Sequence, residues 1–157
     1  MKELATYLND HLAGSVAAIE LLDHLIEQQT GERLEKFLVD LRDEISADQE
    51  KLRDLIRKLG AEESVLRKAS AWFVEKLGRV KIGAAGDADL GLLQALEGLA
   101  LGITGKRLLW TALMNVEANF PRLQGIDLSK LEERAREQFK RVEKERLYLA
   151  REVFSKR

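Results

Sequence analysis

The sequence predicts an all-α fold, a bundle of four long helices with one extra short helix in the connection between the second and the third. Apolar residues make up 45% and charged residues 34% of the 157 residues, with a single proline, a composition that favours helix. Apolar residues recur every three or four positions in four long segments, and no segment alternates with the period of two that is typical of a strand. The length suits one domain, 1–157.

The first two helices are predicted at about 2–28 and 32–59. On each of them leucine and isoleucine residues recur on one face, as in an amphipathic helix that packs on a core. Gly60 follows the second segment, at the position where a helix commonly ends. Only the short turn TGE at 30–32 separates the two segments. We therefore expect the two helices to form an antiparallel hairpin.

A long connection is predicted between this hairpin and the next one. It consists of a short helix at about 62–77 and a glycine-rich loop at 78–87. The third long helix is predicted at about 88–116. If the connection returns the chain to its starting end, the second and third long helices run parallel.

The fourth long helix is predicted at about 128–154. The only proline, Pro121, lies in the segment that separates it from the third helix. Either Asp127 or Ser129 is expected to begin the helix as its N-cap. Ser129 together with Glu132 fits the capping-box pattern.

The segment LEGLALGITGKRLLW, residues 96–110, contains three glycines and a Gly-Lys pair. It does not match a phosphate-binding loop, because Ala100 stands where the first glycine is required and Arg107 follows the lysine. Glycine in a helix costs about 1 kcal/mol of stability, so several glycines on one side indicate that another helix or a second subunit approaches closely there. This close-packing face consists of Gly91, Ala95, Gly98, Gly102 and Gly105.

Several charged residues project into the apolar stripes. Asp48 lies at the centre of the stripe of the second helix, with Glu44 at its edge. Arg107 and Arg146 lie within the stripes of the third and fourth helices. A buried charge without a partner is costly, so we expect these residues to pair as part of the architecture. The predicted buried polar network is Asp48, Arg107, His11, Glu44, Glu97 and Arg146.

The connectivity decides which of these charges pair. With parallel second and third helices, counting from the helix starts places Asp48 level with Arg107. It also places Glu44 or Glu97 closer to Arg146. If the four helices simply alternate in direction, Asp48 meets Arg146 instead. We predict the crossover, and with it a pair between Asp48 and Arg107.

Four segments carry a resemblance to known proteins: EISADQEKLRDLIRKLG, AWFVEKLGRVK, LEGLALGITGKRLLW and FKRVEKERLYLARE. Together with the two hairpins and the long connection, they resemble an uncharacterised family of bacterial helical proteins in the ferritin-like four-helix-bundle superfamily. The resemblance covers most of the chain. It implies a ferritin-like fold and no particular activity.

Di-iron members of the ferritin-like superfamily carry single glutamates on two helices and a Glu-x-x-His motif on each of the other two. Glu44 matches one metal glutamate, but Ala47 stands three positions on, and Glu143 is followed at that spacing by Arg146. Both Glu-x-x-His motifs are absent, so we predict a degenerate metal site and no cofactor. The alternative is a divergent iron or manganese site formed by Glu20, Glu44, Glu97 and Glu143.

Composition also limits the function. The net charge is −1, which gives no basic field for nucleic acid. Cysteine is absent and no apolar run approaches the roughly 20 residues that span a bilayer, so we expect a cytoplasmic protein with neither nucleic acid nor membrane as a partner. No side chain that could act as a nucleophile is paired with a base in the sequence pattern.

We therefore predict a non-catalytic bundle that acts through self-association, as a homodimer, or through another protein. The wide apolar arc of the first helix supports a homodimer, since four apolar residues lie off its main stripe: Ala13, Ala17, Leu21 and Leu25. One alternative is a metal-dependent oxidase or iron-handling protein with the divergent glutamate site. Another is a bundle that binds a small anion through Arg107 and Arg146.

Overall fold

The computed structural model describes residues 1–64 and 88–155, and four long α-helices make up most of this part of the chain. They are α1 (Lys2–Gln28), α2 (Glu35–Lys58), α3 (Ala88–Val116) and α4 (Leu128–Ser155). No strand occurs in the described ranges. Among the helices described, none combines the length and the apolar character that a bilayer crossing requires. Residues 61–64 are not helical, and the rest of the short helix predicted at 62–77 lies outside the described residues.

The first hairpin forms as its turn residues predict. Gly31 has a φ of 78° and allows the chain to reverse between α1 and α2. Gly60 has a φ of 71° and ends α2, because its N–H bonds the carbonyl of Arg57 while the N–H of Ala61 bonds that of Ile56. This pair of hydrogen bonds is a Schellman motif. The predicted stop at Gly60 is confirmed.

The connection between α3 and α4 consists of two short 3-10 turns, Glu117–Asn119 and Pro121–Leu123. The side chain of Asp127 then caps α4, since its Oδ1 accepts a hydrogen bond of 2.9 Å from the N–H of Lys130. The capping box predicted at Ser129 is therefore wrong. Ser129 lies inside the helix.

Two ion pairs show that α2 and α4 are antiparallel. Glu44 binds Arg141, and Asp48, one turn later on α2, contacts Arg134, which lies earlier on α4. The two helices thus run side by side in opposite directions. Their contact is made by long polar side chains.

α3 is also antiparallel to α4. Glu97, in the first half of α3, contacts Arg146, whereas Lys106 contacts Gln138. Because both α2 and α3 oppose α4, they run parallel to each other. This is the direction that a long crossover connection predicts. α1 packs against both α2 and α3 and completes the bundle.

Leucine fills most of the interior. The apolar arc of α1 that was expected to support a homodimer is buried within the single chain, where the exposed fractions of Ala13, Ala17, Leu21 and Leu25 are 8% or less. This arc therefore gives no argument for a dimer, because α2 and α3 together cover a wider sector of α1 than one neighbouring helix would cover.

Candidate functional site

A buried polar cluster joins α2, α3 and α4 around Gln138. This side chain is fully buried, and all the polar atoms of its amide are used. Its Nε2 donates hydrogen bonds of 3.1 Å to Glu44 and to Asp48, and its Oε1 accepts one from the Nζ of Lys106. Lys106 also donates to Asp48 Oδ2 at 2.6 Å. Gln138 thus fixes the positions of one cation and two carboxylates.

Two arginines of α4 complete the polar cluster, which we define as Glu44, Asp48, Lys106, Arg134, Gln138 and Arg141. Arg141 binds Glu44 through two hydrogen bonds. The Nε of Arg134 lies 3.3 Å from Asp48 Oδ1. The cluster therefore contains three cationic and two anionic side chains, and its formal charge is positive by one.

Burial and neighbouring charges shift the pKa values in the polar cluster. Burial lowers the pKa of Lys106, and Asp48 only partly offsets this, while the nearby Arg134 lowers it further. For Glu44, burial acts to raise the pKa, but hydrogen bonds from Arg141 and Gln138 outweigh burial and the pKa is lowered. The carboxylate of Glu44 is thus held in its charged form.

A cleft of about 510 Å³ lies between α1, α2 and α3 and borders the polar cluster. Most of its wall is apolar, and Asp48 and Lys106 form part of it. On α1 the wall extends from Tyr7 to Ala18, a distance of about 16 Å at 1.5 Å per residue. The cleft is therefore elongated, with buried charge on one part of an otherwise apolar wall.

Two aromatic side chains of the cleft, Trp110 and His11, have unusual surroundings. Trp110 is 1% exposed, and within the described part of the chain its indole N–H donates no hydrogen bond. His11 packs edge-on against Tyr7, with ring centroids 4.8 Å apart. Burial lowers the pKa of His11, and the nearby Asp10 only partly counteracts it. His11 is thus favoured in its neutral form.

Glycines widen the cleft. Gly14 of α1 and Gly105 of α3 both line it, and a Cβ placed on either would meet no heavy atom of the described residues within 4 Å. Both lie inside helices, where glycine is unfavourable by about 1 kcal/mol relative to alanine. No close approach by a described residue requires these glycines.

At two positions of the predicted close-packing face on α3, no described residue of this chain approaches. Gly91, like Gly105, has open space where a Cβ would be. Ala95 and Gly98 are buried, and Gly102 lines the cleft. The small residues of α3 thus have different surroundings along the helix. Their side of α3 borders the packed core at Ala95 and Gly98 and the cleft at Gly102 and Gly105.

The predicted pair between Asp48 and Arg107 is wrong. Arg107 points outwards, with 47% of its side chain exposed, and binds Glu132 at 2.6 Å. The inward cation is its neighbour Lys106. The buried face of α3 is rotated relative to the face that the sequence pattern predicts, since Leu113 is buried and Met114 is only partly buried. This rotation turns position 106 inwards and position 107 outwards.

Two further members of the predicted network, Glu97 and Arg146, belong to a separate group. Arg146 binds Glu143 at 2.6 Å and contacts Glu97 at 3.4 Å. The structure thus brings Glu97 close to Arg146, one of the two contacts expected from parallel α2 and α3. It does not bring either residue to Asp48. His11 and Asp48 line the same cleft.

The four glutamates of the alternative metal site do not converge. Glu20 is exposed on α1. Arg141 binds Glu44, and Arg146 contacts both Glu97 and Glu143. Within residues 1–64 and 88–155, no group of three or more His, Asp or Glu side chains has the arrangement of a metal site. Glu44, Glu97 and Glu143 have arginine as their partner instead.

Sequence analysis missed Gln138 and Lys106, the two residues that hold the polar cluster together. A signal for Gln138 exists, since it lies three residues after Ala135 and four before Val142, in the middle of the buried stripe of α4. Lys106 follows Ile103 by three residues in the same way on α3. Gln138 was overlooked because a neutral amide has no charge to mark it, and Lys106 because the predicted stripe assigned the inward position to its neighbour Arg107.

No protein-family model, no curated protein and no solved structure matches this chain. The class of protein is therefore defined by the chain's own features. They are four long helices, a polar cluster that is buried among them, and an elongated apolar cleft beside it.

Proposed function

We propose that this protein is a non-catalytic, ferritin-like helical bundle that binds an elongated, mainly apolar small molecule in the cleft between α1, α2 and α3. The observation that carries the proposal is the cleft itself. Its volume of about 510 Å³ falls in the range of small-molecule sites, which are typically apolar with a few polar groups at fixed positions. The parallel direction of α2 and α3 supports the ferritin-like assignment, because a long crossover connection is a feature of that fold.

The glycines of the cleft give the proposal a second support. Alanine at Gly14 or Gly105 would stabilise its helix, and a Cβ would meet no described atom there. The absence of a side chain at these positions therefore lowers stability without easing any contact in the described residues. Space for a ligand is a physical reason for that cost.

Filling the cleft tests the proposal. Gly14→Leu and Gly105→Leu place a large side chain in the cleft, whereas Gly91→Leu is a matched control, because Gly91 is also helical and open but does not line the cleft. The neutral apolar dye Nile red serves as the probe, with its emission titrated against protein. We expect saturable binding to the wild type and to Gly91→Leu, and a loss of about tenfold or more in affinity, equal to about 1.4 kcal/mol, in the two cleft variants.

Urea unfolding of the same proteins tests whether the cleft variants remain folded. Equal dye affinity in all four proteins would contradict the proposal, because the dye would then bind elsewhere. Failure of the wild type to bind Nile red would contradict it as well.

One observation favours self-association as a second candidate function. Leu101 and Leu108 are 58% and 61% exposed and lie seven residues apart on α3, so that they share one face. A homodimer through this face would remove both side chains from water. Sedimentation velocity of the wild type and of the double variant Leu101→Glu/Leu108→Glu tests it. A dimer that the double variant converts to a monomer supports this candidate, and a monomeric wild type contradicts it.

A further inference from the structure

We propose that the ligand of the cleft is a monocarboxylate with an apolar tail, its carboxylate held between the ammonium group of Lys106 and the indole N–H of Trp110. This inference rests on the proposed function, since it names the chemical class of the molecule that occupies the same cleft. The tail would lie along the apolar wall, and the carboxylate would lie beside the polar cluster.

The charge of the polar cluster supports one negative charge on the ligand. Glu44 and Arg141 form one pair, which leaves Asp48 to face both Lys106 and Arg134. Two cations on a single carboxylate leave an excess of one positive charge. Lys106 is largely buried, with 15% of its side chain exposed, so water screens its charge poorly, whereas Arg134, with 38% exposed, is screened better. A ligand with a single negative charge would balance the excess.

The donors of the cleft support a ligand group with two acceptor atoms. An ammonium group has three N–H donors, and in the described part of the chain Lys106 uses two of them, on Asp48 and Gln138. The indole N–H of Trp110 is buried and has no acceptor among the described residues. Buried donors normally have a partner. A ligand acceptor would supply the missing partner for both groups.

The spacing of the two donors fits a carboxylate. Lys106 and Trp110 are four residues apart on α3, so their Cβ atoms lie about 5–6 Å apart on one face of the helix. Both side chains line the cleft. In the proposed complex, each of the two side chains donates one hydrogen bond to the carboxylate. Asp10 and Asp48 also line the cleft. Asp10 is exposed, so that water weakens its repulsion of an anion, and Lys106 and Arg134 offset the charge of Asp48.

Titration calorimetry with three ligands of equal chain length tests the head group. Octanoate, octanol and octylamine share one tail and differ in charge. We expect the wild type to bind octanoate about ten- to a hundredfold more tightly than octanol, the range for a hydrogen bond to a charged group, and to bind octylamine more weakly than octanol. Trp110→Phe keeps an aromatic ring, although a smaller one, and removes the N–H, and we expect it to lose about three- to tenfold in octanoate affinity.

Lys106→Met removes the ammonium group and should abolish the preference for octanoate over octanol. Lys140→Met is the matched control, because Lys140 is a lysine of α4 with 63% of its side chain exposed. If Lys106→Met does not fold, the double variant Asp48→Asn/Lys106→Met removes the charge of both partners and takes its place. Circular dichroism checks the fold of each variant.

Three results would overturn the inference, and they have different meanings. If the wild type binds octanol and octanoate equally well, the carboxylate assignment is wrong while the apolar cleft keeps its proposed function. If neither binds and Nile red does not bind either, the proposed function fails together with the inference. A preference for octanoate that survives in Lys106→Met and in Trp110→Phe would also contradict it.

Discussion

The bundle consists of two unlike pairs of helices. In α2 and α4, 13 of 24 and 14 of 28 residues are charged. In α1 and α3 the numbers are six of 27 and four of 29. Helices α2 and α4, the charged pair, contact each other through long polar side chains. Helices α1 and α3, the apolar pair, contribute mainly leucine and small residues. The cleft lies where the apolar pair borders α2.

This difference shows how one bundle combines a stable core with a polar interior. Lys106 is the inward-facing cation of the apolar pair, and it reaches the charged pair at Asp48 and Gln138. Gly14 and Gly105 leave space beside that contact. The apolar pair therefore provides the cleft, and the charged pair provides the charges at its wall.

The largest expected effect comes from breaking the ion pair between Asp48 and Lys106. Asp48→Leu leaves Lys106 largely buried without its carboxylate, so we expect a loss of about 3–5 kcal/mol in the free energy of unfolding. The double variant Asp48→Leu/Lys106→Met should recover much of this loss, because neither charge is then stranded. Urea denaturation measures the free energy of unfolding of both variants and of the single variant Lys106→Met, which completes the double-mutant cycle. Additive losses across this cycle would show that the two residues are not coupled.

The apolar pair should respond to cavity formation instead. Leu96 of α3 is fully buried, so Leu96→Ala should cost about 2–5 kcal/mol. Leu147 of α4, which is 44% exposed, provides the matched control. We expect a much smaller loss for Leu147→Ala in the same urea experiment. Equal losses would mean that the core does not lie where the structure places it.

The cleft glycines should respond in the opposite direction. Gly14→Ala and Gly105→Ala each add a Cβ into open space inside a helix, so we expect a gain of about 0.5–1 kcal/mol. Gly31→Ala should reduce stability, because Gly31 has a φ of 78° that alanine adopts only with strain. Thermal unfolding measures all three. Destabilisation by both helical variants would refute the open space at the cleft wall.

The smallest effect concerns pH. Burial lowers the pKa of His11 below 6.5, so between its native pKa and 6.5 the unfolded chain binds more protons than the native protein does. The free energy of unfolding is therefore highest above pH 6.5 and falls as the pH falls through that range. Glu44 and Glu143, whose pKa values are lowered from 4.5, cause a further loss below pH 4.5.

Urea denaturation of the wild type and of His11→Gln between pH 7 and pH 5 separates these contributions. We expect the dependence on pH to be flatter in the variant. The same slope in both proteins would show that burial does not perturb His11.

The sequence by itself determined the four long helices and several of their ends. The bounds of α1 and α3 follow from the spacing of apolar residues, and Gly60 ends α2 because glycine adopts a positive φ without strain. These features depend on neighbouring residues along the chain. The presence of an inward charge at Asp48 could also be predicted, since the period of an α-helix places that position among leucines.

Only the tertiary structure decided which side chains meet. The choice between Lys106 and Arg107 depends on a rotation of α3 that neighbouring helices set, because adjacent positions differ by about 100°. Gln138 became the centre of the polar cluster because α2 and α4 are antiparallel and α3 is parallel to α2, which brings three helices to one level. The open space at Gly14 and Gly105 likewise depends on the separation of two helices, and helix separation has no signature in the period of a single helix.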